Sequence, residues 1–236
     1  MTRAKGSAKR ALPAPAREQL LRVLELLRRD RTAPSAVRDP DYAWRVHVAD
    51  SLAGLDVPEL REAGRIADIG SGAGFPGLVL AAALPGAHVD LIEATRRKCE
   101  FIDRAIAAAG IANARVVWER AESYADREPP DGGREAYPAA TARAVGRLST
   151  LAELASPLLV LGGILVAWKG RRDPDEEAEL QRASSSLAMS SESVEWVGPY
   201  AGSRNRHIHV IRKSGPTPGN LPRRPGMAKK RPLGSH

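Results

Sequence analysis

The run Asp68-Ile69-Gly70-Ser71-Gly72-Ala73-Gly74-Phe75-Pro76-Gly77 holds the residues best suited to chemistry. Glycines at this density let a loop take positive φ and let a ligand approach bare backbone. Glu93 closes the next apolar stretch, His88-Val89-Asp90-Leu91-Ile92. A carboxylate about twenty residues beyond a glycine loop can accept both hydroxyls of a ribose. Two further apolar runs end in Arg120-Ala121-Glu122 and in Thr141-Ala142-Arg143-Ala144-Val145. Glu122, or a backbone amide beside Ala121, suits an adenine amino group. Arg143 is unusual, because an apolar-flanked strand end rarely holds a cation without a use for it. Together these residues describe a nucleoside pocket at the C-terminal edge of a parallel sheet.

The elements that must position them can be read from periodicity. Strands are expected at Ile66–Ile69, His88–Ile92, Arg115–Trp118, Ala139–Ala144, Ile164–Trp168, Val194–Val197 and Arg206–Arg212. Helices are expected at Pro76–Leu84, Arg96–Ala109, Arg147–Leu159 and Pro174–Leu187, with Trp118 taken as core packing. Earlier, Arg17–Arg29 carries a helical leucine stripe, and Asp41–Leu55 reads as a helix with Asp41 as its N-cap. No helix separates the last two strands, so they should pair as a hairpin that places one antiparallel strand in an otherwise parallel sheet. The expected fold is therefore α/β, Rossmann-like, with seven strands and additional N-terminal helices. The chain divides into a basic disordered tail (1–16), an N-terminal helical region (17–60), the main domain (61–213) and a basic C-terminal tail (214–236).

Two nucleoside cofactors fit the loop. Gly72-Ala73-Gly74-Phe75-Pro76-Gly77 satisfies the G-x-G-x-x-G pattern of dinucleotide binders. Shifted earlier, Asp68-x-Gly70-x-Gly72-x-Gly74 is the acidic G-x-G-x-G signature of S-adenosylmethionine-dependent methyltransferases. Asp68 favours the second reading, since a carboxylate facing a sulfonium or amino group is attractive and one facing a pyrophosphate is not. Pro76 removes an N–H that a pyrophosphate would use. The terminal hairpin also matches class I methyltransferases, whereas the dinucleotide fold ends in parallel strands.

What is missing narrows the acceptor. The fourth strand lacks the Asn/Asp-Pro-Pro-aromatic element of amine methylation, and Cys99 lies in a helix rather than where a pyrimidine C5 nucleophile would stand. Lys169 has no evident partner set for hydroxyl methylation. An acceptor with its own lone pair remains, such as a purine ring nitrogen, for which alignment suffices and no general base is needed. Guanine N7 and O6 present adjacent acceptors that one arginine can hold, and Arg143 is the candidate.

These runs, with His47-x-x-Asp50-Ser51-Leu52, Ala167-Trp168-Lys169-Gly170 and Pro222-Arg223-Arg224-Pro225-Gly226, resemble one family. It is the bacterial small-subunit ribosomal RNA guanine-N7 methyltransferases, also called glucose-inhibited division protein B. The resemblance implies that Gly70, Phe75, Ala121, Glu122 and Arg143 line the S-adenosylmethionine site. It further implies that the acceptor is a guanosine of 16S ribosomal RNA, naked or within the 30S subunit. His47, Asp50 and Ser51 would sit on a helix beside the cleft and, with Lys169, Arg223 and Arg224, meet the substrate. Asp68, Gly72 and Gly74 would hold the donor's amino-acid end, Glu93 its ribose, and Arg143 the base as the catalytic residue. The rivals are an NAD(P)-dependent oxidoreductase and a non-catalytic RNA-binding protein with a vestigial pocket.

Charge supports a polyanionic partner. The net charge is +8, yet residues 1–17 carry five basic and no acidic side chains, and residues 196–236 carry nine basic and none acidic. Each phosphate neutralised by such ends releases counterions and favours binding. A single cysteine, Cys99, excludes an internal disulfide and fits a reducing, cytoplasmic setting. No apolar run approaches the ~18 residues of a membrane span. Neither a membrane nor a metal is expected as a partner, and the chain is expected to act as a monomer.

Overall fold

Successive residues of the central strands point to opposite faces, and the chain uses that alternation to build two apolar layers. Ile66, Val89, Leu91, Ala139, Ile164 and Val166 face one layer, while Ala67, Ile69, Ile92, Ala140 and Leu165 face the other. The computed structural model describes residues 12–235; residues 1–11 of the expected basic tail lie outside the described residues.

Seven strands form one sheet: β1 (Arg65–Ile69), β2 (His88–Glu93), β3 (Ala114–Trp118), β4 (Tyr137–Arg143), β5 (Leu159–Lys169), β6 (Met189–Trp196) and β7 (His207–Lys213). Their order is β3-β2-β1-β4-β5-β7-β6. All pairs are parallel except those made by β7, which runs antiparallel to both β5 and β6. This is the expected hairpin. Strands β5 and β6 begin about five residues earlier than periodicity suggests, each beside a register irregularity that alternation cannot reveal.

Helices cover both faces. On the first lie α1 (Ala14–Arg29), α5 (Gly77–Ala83) and α6 (Arg96–Ala109), joined by Leu20, Val23 and Leu27 of α1. On the second lie α7 (Ala121–Ala125), α8 (Leu148–Ala155), α9 (Pro174–Leu187) and the short α10 (Met227–Lys230). Helix α8 is shorter than the expected Arg147–Leu159, because Pro157 follows it and β5 begins at Leu159.

The expected helix Asp41–Leu55 is broken into pieces. It comprises α2 (Pro40–Ala43), a π-helical turn (Trp44–Ala49), α3 (Asp50–Leu52) and a 3₁₀ turn (Ala53–Asp56), before α4 (Pro58–Glu62). Its N-cap is Asp39 rather than Asp41: Asp39 Oδ1 accepts from Tyr42 N–H at 2.7 Å, and Pro40 occupies the first helical position. The last pieces are pinned to the sheet by Trp168 of β5, whose Nε1–H donates to Asp50 O at 2.8 Å. That pin fixes Asp50 over the C-terminal end of β4.

Candidate active site

Leaving β1, the chain turns at Gly70, where φ is +67° and the N–H donates to Ile92 O at 2.8 Å. A Cβ here would lie 2.8 Å from Val145 Cγ2, so only glycine permits the turn and the close approach of the loop after β4. Asp68, expected to face the donor's cationic end, is instead fully buried beneath the loop. Its Oδ2 accepts from Gly77 N–H at 3.2 Å and its Oδ1 from the Thr141 hydroxyl at 2.8 Å. Burial pushes its carboxyl up, against the pull of those hydrogen bonds and of Arg143. Asp68 therefore ties β1, β4 and the start of α5 together and shapes the loop from below. Gly72 and Gly74 also shape the loop, with φ of +63° and +91°.

Above the loop lies a cleft of ≈ 340 Å³ whose walls include Gly70, Glu93, Ala121, Glu122, Leu154 and Lys229. Glu93 is 6% exposed; its Oε2 accepts from Gly72 N–H at 3.1 Å and its Oε1 from Thr95 N–H at 2.8 Å. A carboxylate offers about four lone-pair positions, so Glu93 keeps capacity for two hydroxyls. Glu122 is 8% exposed and accepts from Gly226 N–H at 2.7 Å. Trp118 is not core packing. It ends the edge strand β3, is 58% exposed, donates from Nε1 to Ala94 O, and carries the Arg96 guanidinium over its ring.

A second cluster sits at the end of β4. Arg143 Nη1 donates to Asp50 Oδ2 at 3.0 Å, Val46 O at 3.2 Å and Ser51 Oγ at 3.3 Å. Its Nε and Nη2 make no hydrogen bond among the described residues. Phe75 lies within 5.8 Å of the guanidinium and is stacked against the His47 ring at 4.6 Å. His47 Nε2 contacts Ser35 Oγ at 3.2 Å, while its Nδ1 is buried without a partner. Burial first, then the Arg143 charge, pulls the His47 pKa down to about 4, so the ring is neutral at pH 7. Asp50 Oδ1 is likewise buried without a well-formed hydrogen bond, with Arg206 Nε 3.4 Å away.

The structure thus brings together His47, Asp50, Ser51, Phe75 and Arg143, and separately Gly70, Glu93, Ala121 and Glu122. It engages two expected substrate residues, Lys169 and Arg223, in internal ion pairs. Contrary to expectation, Lys169 has a carboxylate partner, supplied from seven residues on by α9: its Nζ donates to Glu176 Oε1 at 2.6 Å and to Gly146 O at 2.9 Å. Arg223 is paired with the buried Glu153, and Arg224 is exposed. Sequence reasoning missed Gly226, Ala228 and Lys229 as walls of the cleft; their only signal was a glycine inside a basic run. Cys99 is no nucleophile: its thiol donates to Glu93 O, and burial with nearby carboxylates pushes its pKa up to about 11.

The residues present suit an adenosyl donor. The cleft is within the ~300–1,000 Å³ range of small-molecule sites. It offers two carboxylates for hydroxyl and amino donors. No group of acidic, histidine or cysteine side chains suited to a metal ion occurs among the described residues. Glycine loop, acidic end of β2 and antiparallel β7 together define a class I S-adenosylmethionine-dependent methyltransferase fold. Solved structures agree: a predicted O-methyltransferase from Agrobacterium tumefaciens is 26% identical, with TM-score 0.53 over 71% of this chain and 81% of that one. Aeropyrum pernix fibrillarin, solved with natively bound S-adenosyl-L-methionine, shares the fold at 15% identity, with TM-score 0.52 over 69% and 72%.

The chain belongs to the rRNA small subunit methyltransferase G (GidB) family, whose model matches residues 19–208. Relatives named ribosomal RNA small subunit methyltransferase G are 41% identical in Chloroflexus aggregans, over 86% of this chain and 84% of that protein. In Moorella thermoacetica the identity is 35%, over 84% and 82%. Family and sheet topology set the dinucleotide reading aside.

Proposed function

We propose that this protein transfers a methyl group from S-adenosylmethionine to N7 of a guanosine in 16S ribosomal RNA, as naked RNA or within the 30S subunit. When bound, the donor supplies an electrophilic methyl carbon on a sulfonium that leaves as a neutral thioether. Glu93 accepts from the ribose hydroxyls, while Ala121 and Glu122 border the adenine. Gly70 and the loop it opens present bare backbone to the rest of the donor. Arg143 is fixed by the helix that carries Asp50 and Ser51, so its remaining donors point a preset charge at the acceptor. A lone pair that receives a methyl group cannot also accept from a guanidinium, so Arg143 is assigned to guanine O6 rather than to O6 and N7 together. Such an acceptor needs placement and charge complementarity rather than proton removal.

The observation that carries this reading is a half-buried arginine anchored by three hydrogen bonds, whose loop packs directly on the glycine turn, beside a histidine whose pKa of about 4 makes it a weak base and an aspartate already paired with the arginine. The exposed Arg224, Lys229 and Lys230, which make no ion pair among the described residues, give an RNA backbone its counter-charges. Transfer of a tritiated methyl group to 30S subunits and to deproteinised 16S RNA, followed by nucleoside analysis, tests it. Label in 7-methylguanosine is expected, and label in another nucleoside, or none with either substrate, refutes the assignment.

A further inference from the structure

The segment after β7 is a basic tail by composition, yet the structure builds it into the donor cleft. Leu221 and Ala228 are buried at 3% and 2% exposure. Arg223 donates from Nε and Nη2 to the two oxygens of Glu153 at 2.6 and 2.5 Å, and Glu153 is itself buried within α8. Arg223 Nη2 also donates to Arg231 O at 2.8 Å, which closes the segment on itself. Thr150, one turn earlier on α8, donates its hydroxyl to Ala228 O at 3.0 Å. Between these fastenings Gly226 presents its N–H to Glu122, and Gly226, Ala228 and Lys229 line the cleft together with Ile92 and Ala121.

We infer that Gly226–Lys229 is an unassigned part of the donor site, the wall against which the adenosine moiety lies, and that the Glu153–Arg223 pair is the latch holding it there. The inference rests on the donor reading above. Without this wall, the cleft keeps its glycine turn and its ribose carboxylate but loses one side, and Glu122 loses its hydrogen bond from Gly226 and keeps only the longer contact with Arg120 at 3.7 Å. A buried bidentate carboxylate–guanidinium pair is geometrically demanding, so a latch of this kind sets the position of the wall rather than merely attaching it. Lys229 is both a wall residue and an exposed cation, so the same four residues join the donor cleft to the surface that an RNA backbone would meet. Glu153 acts on the donor only through the segment it holds and is a positioning residue.

The test uses the full chain and S-adenosylhomocysteine as the probe. Calorimetry on Glu153→Gln should show its Kd raised about tenfold over wild type. In parallel, wild-type protein is treated with trypsin, which can cut the segment after Arg223, Lys229 and Lys230. Cleavage there should slow at least fivefold when the probe is bound, while cleavage after Arg171, in the exposed loop between β5 and α9, stays unchanged. Protection is read on the wild type, so it decides the matter even where the variant folds poorly. Equal cleavage of the segment with and without the probe, or an unchanged Kd in folded Glu153→Gln, overturns the wall. A wild-type chain that binds no probe at all overturns the donor reading and the wall together.

Discussion

Two buried aspartates, Asp90 within the sheet and Asp50 on the helix over its C-terminal edge, have opposite surroundings. Asp90, midway along β2, is completely enclosed and fully engaged. Its oxygens accept from Arg65 at 2.9 Å, Tyr137 at 2.5 Å and Arg115 at 2.5 Å, with Tyr124 bonded in turn to Tyr137. Burial pushes its carboxyl up, but the hydrogen bonds from Arg115, Tyr137 and Arg65 outweigh that and hold it below the ordinary carboxylate range. Asp50, over the C-terminal end of β4, is buried nearly as deeply, yet one of its oxygens and the neighbouring His47 Nδ1 lack hydrogen-bond partners. Buried polar groups in folded proteins are usually satisfied, and exceptions ask for an explanation. The closed network staples strands together. The incomplete one lies beside Arg143, in the place where the proposed function puts the acceptor base, and unsatisfied polar atoms there are a departure expected at functional sites.

The comparison can be broken from either end. Asp90→Asn removes the charge shared by two arginines and a tyrosine and turns one of its two acceptor oxygens into a donor, which should cost about 3–5 kcal/mol of stability. Urea unfolding would measure it, and the variant, where folded, should keep its donor affinity. A loss below 1 kcal/mol would show that the network is ornamental. Arg143→Ala should instead lower turnover on ribosomal RNA at least ~100-fold, about 2.7 kcal/mol of transition-state stabilisation. Near-normal turnover in that variant would remove Arg143 from the chemistry.

The smallest effect sharpens the contrast through pH. The His47 pKa lies near 4 in the folded chain against about 6.5 in an unfolded one. The unfolded state therefore binds more protons between those values, so the contribution is present above pH 6.5 and is lost as pH falls towards 4. After allowance for its partial exposure, His47 should account for about 1–2 kcal/mol of that loss. His47→Phe preserves the stack on Phe75, and the difference between the two pH profiles isolates the histidine from Asp68 and other carboxyls. Parallel profiles would mean that His47 is solvated.

Local patterns made the fold legible. The glycine run, the acidic end of β2 and the missing helix before β7 each reflect a constraint acting within a few residues. Candidate positions were legible where a residue stands at a strand end, as with Glu93 at the end of β2 and Arg143 at the end of β4. It was not where partners come from far along the chain: Glu122 meets Gly226 across 104 positions, and basic composition hid a packed segment. Trp118 was misread because alternation does not say that a strand lies at the edge. Asp68 was misread because the motif records its presence and not its direction. It points down, into the protein.

One arrangement has a temporal consequence. The glycine turn, Glu93 and Arg143 are all translated before residue 150, whereas Gly226–Lys229 emerges much later. A nascent chain thus owns the rudiments of its pocket well before it can close one side, so ligand capture becomes a property acquired late in synthesis.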